Sequence, residues 1–194
     1  MWIRPVSNRE GEAVSQAERW YTDGTDPLLL DVIDVPLVGP HPGSYQSENW
    51  LLEPSQSWSK IDRLAWDDLG SLAAPPAPLW ANEDSTNNGF HDQISVSLVS
   101  QIHDSLRLLY VPSLEVWVSQ PGASFGDNRQ RVQGRFEFAG IQYWLWVTDP
   151  VAEQKYRSRG NGSYTLGECY LTISVGEERE GYHYKLIAAV IERP

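Results

Sequence analysis

Only one cysteine, Cys169, occurs among the 194 residues, so no internal disulfide can form. The alternating, strand-like run around it reads as a setting for a core thiol rather than a nucleophile. A reducing, cytoplasmic location is expected from this, in which the Asn161-Gly162-Ser163 sequon has no use. No stretch of about 18 apolar residues is present, which excludes a transmembrane helix. The opening MWIRPVSNREGEAV lacks an apolar segment and carries early charges, so it does not read as a secretory signal, and no membrane partner is expected. Metal-ligand spacing is missing as well: His41, His91, His103 and His183 stand apart from one another and from Cys169. No metal site and no cofactor are expected. There is no P-loop or Rossmann glycine spacing, no G-x-S-x-G elbow and no set of catalytic residues. The carboxylate pairs Asp67-Asp68 and Asp31/Asp34 leave a metal-dependent hydrolase or nuclease as the weakest functional option. Adjacent helical positions diverge, so Asp67-Asp68 reads better as a solvated face. Catalysis stays open, with a non-catalytic role preferred.

Positive charge is also scarce. Fifteen Lys and Arg against 26 Asp and Glu leave a net charge of −11, which opposes non-specific nucleic-acid binding through phosphate neutralisation. The charge is uneven, however. Between Arg129 and Arg159 six basic residues (Arg129, Arg131, Arg135, Lys155, Arg157, Arg159) face three acidic ones (Glu137, Asp149, Glu153). Either these arginines form an anion-binding patch on an acidic body, or they pair with the acids around them.

Leucine-rich helical stripes are rare, whereas nine Trp and nine Tyr are many for this length and suit half-buried pleated surfaces. The expected fold is mainly β. Leu28–Val38 reads as one strand ending near Pro36. Ser57 as an N-cap, with Ile61, Leu64 and Leu69 at helical spacing, predicts an α-helix over 57–70. The polar stretch 82–92 reads as a mobile loop tip. Ile94–Ile102 and Leu106–Val118 alternate as strands. Val132–Phe138 and Ile141–Thr148 form a hairpin across Ala139-Gly140. Asp149 and Pro150 then start a short helix as N-cap and N1. Gly167–Val175 and Tyr182–Ile191 are the last two strands.

Several segments carry a resemblance: Trp2-Ile3-Arg4-Pro5-Val6-Ser7, Glu48-Asn49-Trp50-Leu51-Leu52, Leu145-Trp146-Val147-Thr148-Asp149-Pro150, Leu166-Gly167-Glu168, Tyr170-Leu171-Thr172-Ile173-Ser174, Gly176-Glu177 and Tyr184-Lys185-Leu186-Ile187-Ala188-Ala189. Through them the chain resembles the prokaryotic dual OB-fold-containing domain family. The resemblance implies two tandem OB-like antiparallel barrels, a setting in prokaryotic defence or conflict systems, and a nucleic-acid or nucleotide ligand. The first barrel is expected over residues 1–122 with the helical insert at 57–70, and the second over 129–194. Similar chains carry a further strand before the Trp-Ile-Arg-Pro segment, so the first barrel is expected to be open on one side.

OB barrels bind single strands by stacking bases on aromatic side chains within a basic groove. Arg131 and Arg135 share one face of their strand. Val132, Phe136 and Phe138 mark the other, with Gly134 as a gap. Trp144 and Trp146 share one face of the next strand, either exposed beside the arginines or packed under other elements. The candidate ligand-binding residues are Arg4, Arg129, Arg131, Arg135, Trp144, Trp146, Lys155, Arg157 and Arg159. The partner they point to is a single-stranded nucleic acid or a nucleotide. The alternative is a scaffold that docks a co-encoded protein through its Trp-rich surface. Val132, Phe136, Leu171, Ile173, Leu186 and Ala188 are expected to point into the second barrel.

Overall fold

The computed structural model describes residues 2–194. Contacts divide the chain into two compact units, one up to Leu69 and one from Gly70 to Pro194.

In the first unit, β1 (Arg4–Val6) runs parallel to β4 (Asn49–Leu52), and β4 pairs antiparallel with β3 (Leu37–Pro40). A separate two-stranded sheet joins β2 (Asp31–Asp34) to β5 (Ser59–Arg63). Pro36 splits the expected 28–38 strand into β2 and β3, because proline has no N–H for a ladder. The one-turn α1 (Gln16–Arg19) begins at a capping box between Ser15 and Glu18. Hydrogen bonds from Ser7 and Ser15 hold the Glu18 carboxyl down at about 2.

The α-helix expected over 57–70 does not form; the segment is β5 followed by a 3₁₀ helix, Trp66–Ser71. Long-range partners override the local pattern. Trp58 packs with Tyr21 and Leu52 in the small core of this unit. Lys60 reaches the buried carboxylate of Asp31 at 2.6 Å, and Arg63 reaches it at 3.5 Å. A helix over these residues would give up the β2 pairing that sets both contacts.

The second unit holds one eight-stranded sheet in the order β11-β8-β9-β10-β13-β12-β7, with β6 added on β13. Its elements are β6 (Gln93–Ser95), β7 (Leu106–Val111), β8 (Leu114–Ser119), β9 (Arg131–Phe138), β10 (Ile141–Val147), α2 (Pro150–Arg157), β11 (Gly162–Leu166), β12 (Cys169–Arg179) and β13 (Tyr182–Glu192). The meander β8-β9-β10 is followed by α2, and β13 returns parallel to β10 through Trp146/Leu186 and Val147/Ile187. One chain run serves both ends of the set: β11 pairs β8, and after a break at Gly167-Glu168, β12 pairs β13. The sheet thus turns back on itself without a continuous ladder. It is an OB-like, partly open Greek key, mainly β as expected, with one parallel pair, β10 and β13, among antiparallel ones. Because β8 pairs β9 across the 120–130 loop, β6, β7 and β8 belong to this sheet. The compact unit that holds them begins at Gly70.

The core contains Leu109, Val116, Val132, Phe136, Tyr143, Leu145, Leu171, Ile173 and Ile187, all at most 3% exposed. Cys169 is fully buried, and burial pushes its thiol up to about 12. Of the six residues expected inside, Leu186 and Ala188 are not; Lys185 and Ile187 take the inward positions. The buried lysine shifts the frame of β13 by one residue against the apolar pattern, and Ala188 falls in a β-bulge opposite Thr172/Ile173. Asp149 caps α2 by accepting from the Val151 and Ala152 amides, with Pro150 at N1, as expected.

Gly134 is not a gap in the core but a point of close approach. A Cβ there would lie 2.4 Å from Ile187 Cδ1 and 3.1 Å from Leu114 Cδ1. Gly134→Ala should therefore overpack the core and destabilise the unit by about 1–3 kcal/mol, read as a lowered denaturation midpoint.

Candidate ligand-binding face

The outward face of β8, β9 and β10 carries a layered arrangement of aromatic rings and guanidinium groups. Strand register places Glu115, Arg135 and Trp144 in one row and Trp117, Gln133 and Trp146 in the next. The Arg135 guanidinium lies 4.5 Å from the ring centroid of Trp117 and 4.5 Å from that of Trp144, between the two rings. Arg131 lies 4.9 Å from the Trp146 centroid. Such contacts hold the planar groups in place, each with about 0.5–2 kcal/mol of attraction. Trp144 and Trp146 thus stand on the outer side with the arginines.

A strap formed by residues 85–92 crosses the same side. Phe90 exchanges two backbone hydrogen bonds with Trp144, at 3.3 and 3.1 Å. The Asn88 carbonyl accepts from the Gln133 side chain, which is 1% exposed for that reason. The buried Asp92 carboxylate ties the strap by accepting from the Thr86 amide at 2.7 Å and the Thr86 hydroxyl at 2.6 Å. The stretch expected as a mobile polar tip is therefore folded onto the sheet, because its acid and hydroxyl satisfy each other internally.

Beside this face lie two adjoining grooves. One, of about 440 Å³, is lined by Arg129, Arg131, Arg157, Glu153, Gln130, Val147 and Thr148. The other, of about 570 Å³, is lined by Arg131, Trp146, Thr148, Tyr184, Leu186 and the 176–180 end of the β12–β13 hairpin. Arg131 and Thr148 line both. Among the described residues Arg131 and Arg135 make no ion pair. Arg129 pairs with Asp127 at 2.7 Å, Arg157 with Glu153 at 2.7 Å and Lys155 with Glu192 at 2.5 Å. Lys155 and Arg159 line neither groove; the Arg159 guanidinium sits over Tyr156 at 5.0 Å. Arg4 belongs to the first unit and pairs with Glu48 at 3.5 Å.

Sequence reasoning missed Trp117, Tyr184 and Lys185. Alternation against the buried Val116 and Val118 does put Trp117 outward, but its row is set by strand register. Lys185, 1% exposed, donates from Nζ to the Ala81 carbonyl and to Asn82 Oδ1, both at 2.5 Å. Burial pushes its amine down to about 7, against a smaller upward pull from Asp92. The Tyr143 hydroxyl, which accepts from the Leu79 amide at 3.0 Å and from Asn82 at 2.9 Å, is raised by burial. Among the described residues no group of three or more His, Cys, Asp and Glu is placed to hold a metal. None of their helices is long and apolar enough to cross a membrane.

The sequence model of the dual OB-containing domain family matches residues 1–190. The chain belongs to the dual OB-containing domain family. No curated protein and no solved structure matches it significantly. In OB folds the face of the second and third strands, with the loops beside it, is where oligonucleotides and oligosaccharides bind. In this dual OB-containing chain that position corresponds to β9 and β10, the strands that carry Arg131, Arg135, Trp144 and Trp146.

Proposed function

We propose that the second unit is a non-catalytic module that binds single-stranded nucleic acid across β9 and β10. The observation that carries this reading is Arg131: a guanidinium without an ion pair among the described residues, stacked beside Trp146, on the shared wall of two adjoining grooves. Phosphates would run along Arg129, Arg131 and Arg157, where three guanidinium groups line one groove. Bases would stack at Trp146 and its neighbours. Arg135 adds positive potential and fixes Trp117 and Trp144, since its guanidinium already lies against both rings. Lys155 and Arg159 would act only at longer range. A free nucleotide would use the same groups while engaging fewer phosphates. The prokaryotic defence setting belongs to the same proposal, and the neighbouring genes test it.

The test is an oligonucleotide titration at several salt concentrations. Each guanidinium that neutralises a phosphate should contribute about 0.7 to the slope of log affinity against log salt. Arg129→Ala/Arg131→Ala removes two such groups and should make the slope shallower by about 1.4. A wild type that binds no single strand at low salt sinks the proposal. A stable, salt-insensitive complex with a co-encoded protein would put the docking function in its place.

A further inference from the structure

The groove beside Trp146 differs from the arginine groove it adjoins. One wall is Arg131, Trp146 and Thr148; the other is the hairpin tip with Glu177, Glu178, Arg179 and Glu180, followed by Tyr184 and Leu186. The tip is stiff. Glu180 and Gly181 both have positive φ, 55° and 85°, as the two central residues of a type I′ turn require. Glu178 is committed to that turn, accepting from the Gly181 amide at 2.8 Å. The side chains of Glu177 and Glu180 make no hydrogen bond or ion pair among the described residues. Two available carboxylates thus face a cation and an aromatic ring across a space of about 570 Å³.

Three carboxylates against the one guanidinium of Arg179 leave the hairpin wall net negative, which disfavours a phosphate there, so this groove suits a different part of a strand. Trp146, Tyr184 and Leu186 offer area to a flat apolar group, and ionised carboxylates only accept hydrogen bonds. The group that fits is a nucleobase with donors on its edge. Guanine presents two adjacent donors, N1–H and the 2-amino group, which a carboxylate accepts together. Adenine and cytosine place an acceptor nitrogen beside their single amino group, and thymine flanks its one N–H with two carbonyls. We propose that this groove is a guanine-selective base pocket, in which the base lies against Trp146, the Glu177 and Glu180 carboxylates accept its edge, and Arg131 holds the phosphate that follows. The proposal rests on the single-strand reading and adds base preference to it.

The probes are a short all-thymine single strand and the same strand with one central guanine. Wild type should bind the guanine strand about five-fold or more tightly, the lower end of a bidentate base contact. Hypoxanthine in place of guanine lacks the 2-amino group and should forfeit most of that gain. Glu177→Gln/Glu180→Gln should bind the all-thymine strand more tightly at low salt, because two negative charges leave the groove, and should show no guanine preference. Binding of both strands with equal affinity by wild type overturns the base pocket and leaves single-strand binding standing. A guanine preference that survives in the double variant also overturns it. Binding of neither strand sinks the single-strand reading and this pocket with it.

Discussion

Raising the pH from about 7 to about 9 should stabilise the wild type relative to Lys185→Met by roughly 2 kcal/mol. The direction follows from the native environment of the amine. Burial lowers the Lys185 pKa from 10.5 to about 7, so between those values the unfolded chain binds a proton that the native chain does not. An amine displaced in this way weakens the fold in full below the native pKa. The cost fades as pH rises toward the unfolded value, with a slope of at most about 1.4 kcal/mol per pH unit. Methionine fills similar volume and carries no proton, so the difference between the two proteins isolates this group, because the contributions of Cys169 and Tyr156 are common to both and cancel. Denaturant unfolding at three pH values gives the result. A difference that does not change with pH would mean that Lys185 stays charged inside the sheet. The effect matters for the face, since the segment that holds the Lys185 ammonium, Ala81-Asn82, leads directly into the strap across Trp144.

Trp146→Ala should weaken single-strand binding by about 1–3 kcal/mol, which is about five- to 150-fold, while Trp146→Phe should recover most of it. The ring has two tasks, as a platform for a base and as the surface on which Arg131 rests 4.9 Å away. Loss of the ring therefore frees the arginine and removes the stack together. Isothermal titration of both variants, with their melting temperatures, separates the two effects. Equal weakening by Ala and Phe would assign Trp146 a packing function instead.

The hairpin of β9 and β10 and the cap of α2 are legible in the sequence because they rest on local rules. Strict alternation from Val132 to Phe138 sets one face of β9, and Asp149-Pro150 has a single good use. The segment around Lys60 is the opposite case. Its helical spacing is real, but Asp31 and Tyr21 lie far away in sequence and decide the outcome. In β13 a charged residue takes an inward position, so reading polarity alone shifts the strand by one. For the candidate face, the alternation of Arg131, Arg135, Trp144 and Trp146 is visible along the chain. That Arg135 lies between Trp117 and Trp144 depends on how three strands slide against one another, which no single strand encodes. The same holds for the strap, whose Asn88 carbonyl meets Gln133 from 45 residues away.

Nine tryptophan indoles make the binding face directly observable. In a nitrogen–proton correlation spectrum of the labelled protein, titration with a short guanine-containing single strand should shift the indole of Trp146 and the side-chain Nε signal of Arg131 most strongly. The indoles of Trp117 and Trp144 should follow with smaller shifts, and those of Trp58 and Trp66 should stay in place. Shifts confined to tryptophans of the first unit, or none at saturating strand, would contradict binding across β9 and β10.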